Sequence, residues 1–380
     1  MGVYIHIPFC EQKCHYCDFH SIAVGGRDDF LAAADSYLSL LRKEARLYKE
    51  QVADHTLSTI FIGGGTPTVL PPEKLGEFII YIREELPVSP RAEITVEANP
   101  NSLSLLGMKT LRQAGVNRIS LGAQAFQDPL LQVLGRLHTA DQIGAGVGLI
   151  RQAGIDNINL DLMFGLPGQT REQWGASLEE AIALHPTHLS CYSLIVEGGT
   201  PFAAWESAGL IDLPSDDLQA DMYQMAIKCL TAAGFEHYEI SNFARPGCES
   251  RHNLHYWLNR PFLGLGSGAT GYLGRVRYTN VADVAAYCRR LAEGELPIER
   301  QEYVSLEQEM DETMMVGMRL LAGVSESDFW QRYGMSFFDI YRLQISDLIA
   351  RGLVNYANGH LHVTEQGLFL ENIVSGAFLR

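Results

Sequence analysis

The stretch Tyr4-Ile-His-Ile-Pro-Phe-Cys10-Glu-Gln-Lys-Cys14-His-Tyr-Cys17-Asp-Phe19 places three cysteines directly after a short apolar strand. The C-x3-C-x2-C spacing of Cys10, Cys14 and Cys17 suits a loop that wraps one face of an iron–sulfur cube. Three thiolates would hold three irons and leave the fourth iron without a local protein ligand. An open coordination position is where a substrate or cofactor binds a metal, as it is in catalytic zinc sites. Pro8 and Phe9 help to turn the chain out of the strand and into the loop.

Two other uses of these thiols stay open on the residues alone. A disulfide would leave one of the three thiols over, and no export signal precedes them. A zinc ion would need a fourth ligand, which His15, His20 or Asp18 could supply. The remaining cysteines are scattered along the chain and are expected to be ordinary buried thiols. They are Cys191, Cys229, Cys248 and Cys288.

Composition excludes several classes of protein. The 380 residues carry a net charge of −16, whereas a nucleic-acid surface needs a basic stripe. The chain has no run of about eighteen apolar residues, and its start lacks the charged and apolar segments of a secretory signal. We therefore expect a protein that does not span a membrane and that works in the cytoplasm, where thiolates and clusters survive.

Strand-like and helix-like patterns alternate over the first half of the chain. Strands are predicted at 57–62, 93–98, 118–122, 157–164 and 187–194, and the main helices at 28–50, 72–86, 103–114 and 171–184. Six strand–helix repeats with short turns predict parallel strands joined by right-handed crossovers. The expected fold class is α/β, with a barrel-like sheet that binds its ligands at the carboxyl ends of the strands.

The alternation ends after Leu194. A helix is predicted over 216–233 and a strand over 236–240. A loop is then predicted over 241–261, and it carries the sequence His252-Asn-Leu-His-Tyr-Trp257. From about Leu306 the chain becomes helical again.

A β-hairpin is predicted near the C-terminus. Asn358-Gly359 is a strong two-residue turn signal between two alternating segments. Helices followed by such a hairpin indicate a small winged-helix-type domain. Because this part of the chain has no cluster of Lys or Arg, we interpret it as a packing or lid module rather than a DNA-binding domain.

Glycines and polar residues stand where the predicted strands end. Gly63-Gly64-Gly65-Thr66-Pro67 would let the backbone approach a ligand closely, although a triple glycine alone is only a turn. Glu97 and Gln124 each close a strand, and Arg136 could form a bidentate pair with a carboxylate. Asp161 is a charge inside an apolar strand, so it needs a partner or a function. Each residue alone also fits a solvated strand end or a surface salt bridge.

The cysteine spacing, with the aromatic Tyr16, resembles the signature of the radical S-adenosylmethionine superfamily. The wider phrase Tyr-x-His-Ile-Pro-Phe-Cys resembles the branch that contains oxygen-independent coproporphyrinogen III oxidases and haem chaperones. The resemblance implies a [4Fe-4S] cluster whose fourth iron binds S-adenosylmethionine, and a 5′-deoxyadenosyl radical formed when the cluster is reduced. It also implies a set of residues that contact S-adenosylmethionine: Tyr4, Gly64, Gly65, Thr66, Glu97, Gln124, Arg136 and Asp161.

The same resemblance implies the architecture. A partial (β/α)6 TIM-like barrel with the cluster loop would occupy residues 1–240, and a connecting region residues 241–300. A smaller helical, winged-helix-type C-terminal domain would occupy residues 301–380.

The sequence His252–Trp257 offers two imidazoles beside two aromatic rings. Imidazole can be an axial ligand of haem iron, and aromatic rings provide apolar walls. On chemistry alone, a packed aromatic loop with hydrogen-bonded histidines explains the pattern better. H-N-x-x-Y-W, however, resembles the haem-binding motif of the chaperone group, which implies that His252 binds haem.

Three functions fit the resemblance. The favoured one is a carrier that binds haem as cargo and passes it to an acceptor protein that the sequence does not identify, and cluster loading could drive homodimerisation. The oxidase pattern has a fourth cysteine soon after the third and an N-terminal extension, whereas here Asp18-Phe19 follow Cys17 and the chain begins three residues before Tyr4. A related methyltransferase would need a second S-adenosylmethionine site, which the sequence neither shows nor excludes.

Overall fold

The computed structural model describes residues 1–25 and 27–380. The strands are β1 Gly2–Ile7, β2 Phe9–Cys10, β3 Ile22–Ala23, β4 Leu57–Gly64, β5 Val88–Ala98, β6 Arg118–Gln124, β7 Asn157–Phe164, β8 His188–Ser193, β9 Glu236–Glu239, β10 Asn242–Ala244, β11 Phe262–Leu265, β12 Thr270–Leu273, β13 Val276–Asn280, β14 Ile298–Tyr303, β15 Val324–Ser325, β16 Val354–Ala357 and β17 His360–Val363. The α-helices are α1 Arg27–Leu47, α2 Lys49–Val52, α3 Pro72–Glu85, α4 Leu105–Ala114, α5 Asp128–Val133, α6 Ala140–Gln152, α7 Arg171–Ala183, α8 Pro201–Ser207, α9 Asp216–Ala232, α10 Arg251–Trp257, α11 Val284–Ala292, α12 Leu306–Gly317, α13 Glu326–Tyr333, α14 Phe337–Ala350, α15 Glu365–Leu368 and α16 Glu371–Gly376. Short 3-10 turns lie at Pro67–Val69 and Pro100–Ser102.

One twelve-stranded sheet organises most of the chain, in the order β14-β13-β12-β11-β1-β4-β5-β6-β7-β8-β10-β9. The seven strands from β11 to β8 in this order are parallel to one another. Within them Ile5 of β1 lies opposite Ile62 of β4 and Leu265 of β11. Antiparallel strands extend the sheet at both sides. The prediction of an α/β fold built on parallel strands is confirmed.

Burial explains why these segments become strands. Ile60, Val96, Leu121 and Leu160 are at most 1 % exposed and belong to one core shared by the sheet and its covering helices. Buried polar residues such as Ser120 and Asn159 alternate with them, because successive side chains of a strand point to opposite faces of the sheet. Within the described ranges, no helix is long and apolar enough to cross a lipid bilayer.

Helix starts follow the capping residues. The side chain of Thr170 accepts a hydrogen bond from the amide of Gln173 and begins α7, and Ser215 accepts one from the amide of Leu218 and begins α9. These caps satisfy backbone donors that have no partner inside the helix. The predicted helices over 171–184 and 216–233 begin at the observed residues, directly after these caps. They end within one residue of the observed bounds.

The region after β10 corrects one prediction. The segment His252–Trp257 was predicted to lie in a loop, but it forms most of the helix α10. Ser250 accepts a hydrogen bond from the amide of Asn253 at 3.4 Å and begins the helix, which is followed by Asn259 with φ of 45°. A strong N-cap and the absence of Gly or Pro between these two residues explain the helix. After it, β11 joins β1 as a further parallel strand that the sequence did not predict.

The C-terminal segment builds a separate core. Phe337, Tyr341, Leu361 and Phe378 are fully buried within it, between helices and the small sheet β15-β17-β16. Strands β16 and β17 pair antiparallel around Asn358-Gly359, with φ of 54° and 79°. Positive φ at both turn residues is the geometry expected of this hairpin, so the predicted hairpin is confirmed.

Candidate functional site

The cysteine loop is anchored at the carboxyl end of β1. Strand β2, which contains Cys10, pairs with β3 and closes the loop. The amide of Cys17 donates to the carbonyl of Cys14 at 3.3 Å, and the amide of His15 donates to the carbonyl of Leu134 at 3.0 Å. Cys10 is 9 % exposed, while Cys14 and Cys17 are half-buried. The three thiols therefore lie on one ordered loop.

Two hydrogen-bond donors point at the cysteine sulfurs. Thr66 Oγ1 lies 3.7 Å from Cys10 Sγ, and an Arg136 guanidinium nitrogen lies 3.6 Å from Cys14 Sγ. Burial raises the pKa of Cys10, and it raises the pKa of Cys17 to about 11. Such thiols ionise when a cation binds them, and hydrogen bonds to the sulfurs then stabilise the thiolates. This donor set fits an iron–sulfur cluster.

A single zinc ion fits less well. Among residues 1–25 and 27–380, no three His, Cys, Asp or Glu side chains lie close enough together to enclose one metal ion. Of the proposed fourth ligands, His15 already places Nδ1 2.9 Å from the carbonyl of Val133. An iron–sulfur cube carries its thiolates on separate irons, so it needs them further apart than the ligands of one ion.

The glycine motif lies against the cysteine loop. A Cβ atom on Gly65 would lie 2.5 Å from the carbonyl oxygen of Phe9, and one on Gly63 would lie 2.5 Å from a carboxylate oxygen of Glu97. Gly64 has φ of 107°, and its amide donates to Glu97 at 3.0 Å. Only glycine allows this close approach and this backbone conformation.

Two half-buried carboxyl groups stand beside the glycine motif. Burial, and then the charge of Asp161, raise the pKa of Glu97 to about 7. Burial also raises the pKa of Asp161, which accepts hydrogen bonds from Ser120 at 3.0 Å and Asn159 at 2.8 Å. Carboxyl groups with raised pKa values in one recess of a sheet are a feature of functional sites.

The guanidinium of Arg136 is held from several sides. One of its nitrogens donates to Asn99 Oδ1 at 2.5 Å and to the carbonyl of Gly122 at 2.7 Å. A Cβ on Gly122 would lie 3.1 Å from both Arg136 and the side-chain nitrogen of Gln124. A shallow recess opens beside Arg136, Thr66 and Cys14. Cys14, Thr66, Gln124 and Arg136, which the sequence singled out, therefore lie close together at the carboxyl ends of the strands.

Tyr4 lies on β1. Its hydroxyl is 3.0 Å from His6 Nδ1, and its ring stacks on Phe61 with centroids 6.3 Å apart. Burial, followed by the charge of Glu97, raises the pKa of Tyr4 well above its usual value. Tyr4 is thus half-buried, beside His6 and Phe61.

His252 lies at the opposite end of the strands. Its Nδ1 is 2.9 Å from Thr59 Oγ1, near the start of β4, and its Nε2 is 2.8 Å from the hydroxyl of Tyr256. The ring is 1 % exposed and stacks on Phe61 at 5.2 Å, and its backbone amide donates to Glu93 at 3.2 Å. Burial lowers the pKa of His252 to about 3. The imidazole is neutral, and both of its nitrogens are engaged.

The second imidazole of α10 is less fully engaged. His255 Nε2 is 3.1 Å from Ser58 Oγ, whereas its Nδ1 has no hydrogen-bond partner among the described residues. Burial lowers the pKa of His255 to about 4. Gly2, at the start of β1, faces the ring of His252. Because β1 spans about 17 Å, the two candidate sites lie at opposite ends of the parallel strands.

The sequence did not single out Asn99. It lies directly after β5, and its side-chain amide donates a hydrogen bond to Thr66 and accepts one from Arg136. The signal that could have found it is its position two residues beyond Glu97, at a strand end with other candidate residues.

The chain is similar to known proteins along its whole length. The family model of the radical SAM superfamily matches residues 4–181, and that of the HemN C-terminal domain matches residues 304–370. A Bacillus subtilis protein named heme chaperone HemW is 42 % identical over 379 residues, covering 100 % of this chain and 99 % of that protein. The protein of the same name from Escherichia coli is 35 % identical over 379 residues, covering 98 % and 97 %.

The fold also matches a solved structure. The coproporphyrinogen III oxidase HemN of Escherichia coli, described as a radical SAM enzyme, superposes with a TM-score of 0.85 at 25 % identity, covering 99 % of this chain and 89 % of that one. The chain therefore belongs to the radical S-adenosylmethionine superfamily and, within it, to the HemW family.

Proposed function

We propose that this protein is a haem chaperone, which binds haem and passes it to an acceptor protein. The observation that carries the proposal is the match, over essentially the whole chain, to relatives that bear the name heme chaperone. The sequence H-N-x-x-Y-W on α10 supports it, because the motif supplies an imidazole and aromatic rings on one short helix.

The cysteine loop would hold a [4Fe-4S] cluster. Cys10, Cys14 and Cys17 would each bind one iron and leave the fourth iron open to S-adenosylmethionine. Such a cluster supplies one-electron chemistry when it is reduced. Thr66 and Arg136 already direct hydrogen-bond donors at two of the sulfurs.

The residues around the loop would bind S-adenosylmethionine. The close backbone of Gly64 and Gly65 would receive its amino group, and Arg136 would pair with its carboxylate. Other polar contacts would come from the side chains at the strand ends and below them. These are Tyr4, Thr66, Glu97, Gln124 and Asp161.

Haem binding through His252 would require α10 to rearrange. An axial ligand must present a free nitrogen lone pair, and both nitrogens of His252 are now 2.9 Å or less from hydroxyl groups. His255 has a nitrogen without a partner in the described chain, but that atom is buried. Haem would therefore bind only after α10 opens, and the two histidines should be tested as a pair.

The second candidate is a coproporphyrinogen III oxidase. The full-length structural match to HemN favours it. The residues after the third cysteine, Asp18-Phe19, argue against it, because the oxidase pattern has another cysteine there.

A haem titration tests the proposal. Wild type, His252→Ala, His255→Ala and the exposed control His55→Ala would be titrated with haem and followed by visible absorbance. We expect a one-to-one change of the Soret band in wild type and in His55→Ala, and a weaker or shifted band in His252→Ala. Because His252→Ala leaves two buried hydroxyls unpaired, its folding is checked by circular dichroism.

One outcome would contradict the assignment of the histidines, and another would contradict the chaperone. Equal haem binding by all four proteins would mean that neither His252 nor His255 binds haem. No haem binding, together with carbon dioxide release from coproporphyrinogen III under reducing anaerobic conditions, would identify an oxidase.

A further inference from the structure

A chain of hydrogen bonds connects Cys10 with Cys14 through Asn99. The side-chain nitrogen of Asn99 donates to Thr66 Oγ1 at 3.0 Å, and Thr66 Oγ1 lies 3.7 Å from Cys10 Sγ. On the other side, Asn99 Oδ1 accepts from Arg136 at 2.5 Å, and Arg136 reaches Cys14 Sγ at 3.6 Å. The side-chain amide of Asn99 thus bonds to both Thr66 and Arg136, the two residues that contact the sulfurs of Cys10 and Cys14.

The direction of the first bond decides what Thr66 does. A hydroxyl has one hydrogen to donate and accepts at its lone pairs. Because the oxygen of Thr66 accepts from the amide of Asn99, its own hydrogen is free to point at Cys10. An aspartate at position 99 would have no N–H to donate, and the hydroxyl of Thr66 could then turn towards the carboxylate instead.

The second bond fixes the orientation of Arg136. One guanidinium nitrogen is shared between Asn99 Oδ1 and the carbonyl of Gly122, at 2.5 and 2.7 Å. A planar guanidinium whose one nitrogen is held by two acceptors has its other two nitrogens placed by geometry. One of these two lies 3.6 Å from Cys14 Sγ, and the side chain lines the recess beside it.

We propose that Asn99 is a positioning residue that aims Thr66 at Cys10 and Arg136 at Cys14, and so sets the reduction potential of the cluster that these cysteines would hold. The proposal rests on the proposed cluster ligation. Hydrogen bonds to cluster sulfurs stabilise the added negative charge of the reduced form, so they raise the potential. The same orientation of Arg136 prepares it for the carboxylate of S-adenosylmethionine.

The test compares wild type with Asn99→Ala and Asn99→Asp after anaerobic reconstitution. Iron and sulfide content are measured first, and then the cluster potential by a redox titration followed with electron paramagnetic resonance. We expect a full cluster in all three proteins and a lower potential in both variants. Asn99→Ala should also bind S-adenosylmethionine about tenfold more weakly, because Arg136 loses a charge-assisted bond that orients it. Asn99→Asp keeps an acceptor for Arg136 and should bind S-adenosylmethionine more tightly than Asn99→Ala does.

Ser102→Ala is the matched control for a merely structural role. Ser102 Oγ donates to the backbone carbonyl of Asn99 at 2.7 Å and accepts from the backbone amide of Asn99 at 3.3 Å. It therefore supports the turn without contacting the side chain of Asn99 through these bonds. We expect Ser102→Ala to lower the melting temperature and to leave the potential unchanged. An unchanged potential in Asn99→Ala, or an equal fall in Ser102→Ala, would overturn the proposal while the cluster assignment stands. Failure of wild type to hold a cluster would overturn both.

Discussion

The two ends of the parallel strands differ in how far their functional side chains are already engaged. At the carboxyl end, half-buried thiols and a guanidinium border a recess, and the hydrogen-bond donors there point at sulfur atoms. At the amino end, His252 is fully buried, and Thr59 and Tyr256 engage both of its nitrogens. The carboxyl end is arranged to receive a cofactor, whereas the amino end is arranged as a closed core.

The difference shows that a residue's chemistry depends on which of its atoms are still free. An imidazole with two partners must lose at least one hydrogen bond before it can bind iron, and a buried group left unpaired costs about 1 to 3 kcal/mol. Cys10 and Cys14 need no such loss of partners, because Thr66 and Arg136 already direct donors at their sulfurs; the cost there is ionisation, since burial raises the pKa of Cys10.

Removing the cysteines should abolish the cofactor at the carboxyl end only. The triple variant Cys10→Ala, Cys14→Ala, Cys17→Ala is expected to bind no iron or labile sulfide after anaerobic reconstitution, because no other thiol lies in the loop. His252→Ala, at the other end, should bind as much iron as wild type. Iron and sulfide analyses and the visible spectrum measure both. A full cluster in the triple variant would show that the cysteine assignment is wrong.

The two ends should respond to pH in opposite directions. Glu97 has a pKa of about 7 when folded, above its ordinary value of 4.5, so the folded state keeps its proton while the unfolded state releases it. Its contribution to stability is therefore full below pH 4.5 and is lost as the pH rises to 7, by roughly 3 kcal/mol. His252 has a pKa of about 3, below its ordinary value of 6.5, so its contribution is lost as the pH falls below 6.5.

Urea unfolding of wild type, Glu97→Gln and His252→Ala between pH 5 and 7 measures how the free energy of unfolding of each protein changes with pH. Relative to wild type, Glu97→Gln should gain stability as the pH rises, and His252→Ala should gain stability as the pH falls. Glu44, whose pKa burial also raises to about 7, remains in all three proteins and cancels in the differences. Parallel curves for all three proteins would mean that neither group changes its protonation on folding.

The sequence predicted the carboxyl end because its signals are local. Three cysteines within eight positions and single polar residues at the ends of apolar strands can be recognised without knowing the fold. Parallel strands bring their carboxyl ends to one edge, so those residues meet once the alternation is recognised. Asn99 escaped notice because its role depends on partners 33 and 37 residues away.

The amino end could not be predicted in this way. The burial of His252 results from contacts with Glu93 and Thr59, which are 159 and 193 residues away in the sequence. The helix that carries it has only seven residues, and a pattern so short does not distinguish a helix from a loop. Strand β11 was missed for a similar reason, since its partner β1 is far away in the sequence, with Gly2 opposite Phe262.

The smallest expected effect concerns what holds α10 closed. Arg332, on α13, donates to the carbonyl oxygens of Leu258 at 3.3 Å and Asn259 at 2.8 Å, just after the end of α10, and it also pairs with Glu309. Arg332→Ala should lower the free energy of unfolding by about 1 kcal/mol, because the carbonyls at a helix end lose a cationic donor. Hydrogen exchange of the α10 amides should become faster.

The matched control is Arg351→Ala, which removes an exposed ion pair with Asp347 on the neighbouring helix α14. Such pairs contribute little to stability, so this variant should behave as wild type does. If haem reaches His252 only when α10 opens, Arg332→Ala should also bind haem faster at an unchanged extent, whereas Arg351→Ala should not. Faster exchange without faster haem binding would show that the opening of α10 does not limit haem entry. The amino end would then admit haem by another route.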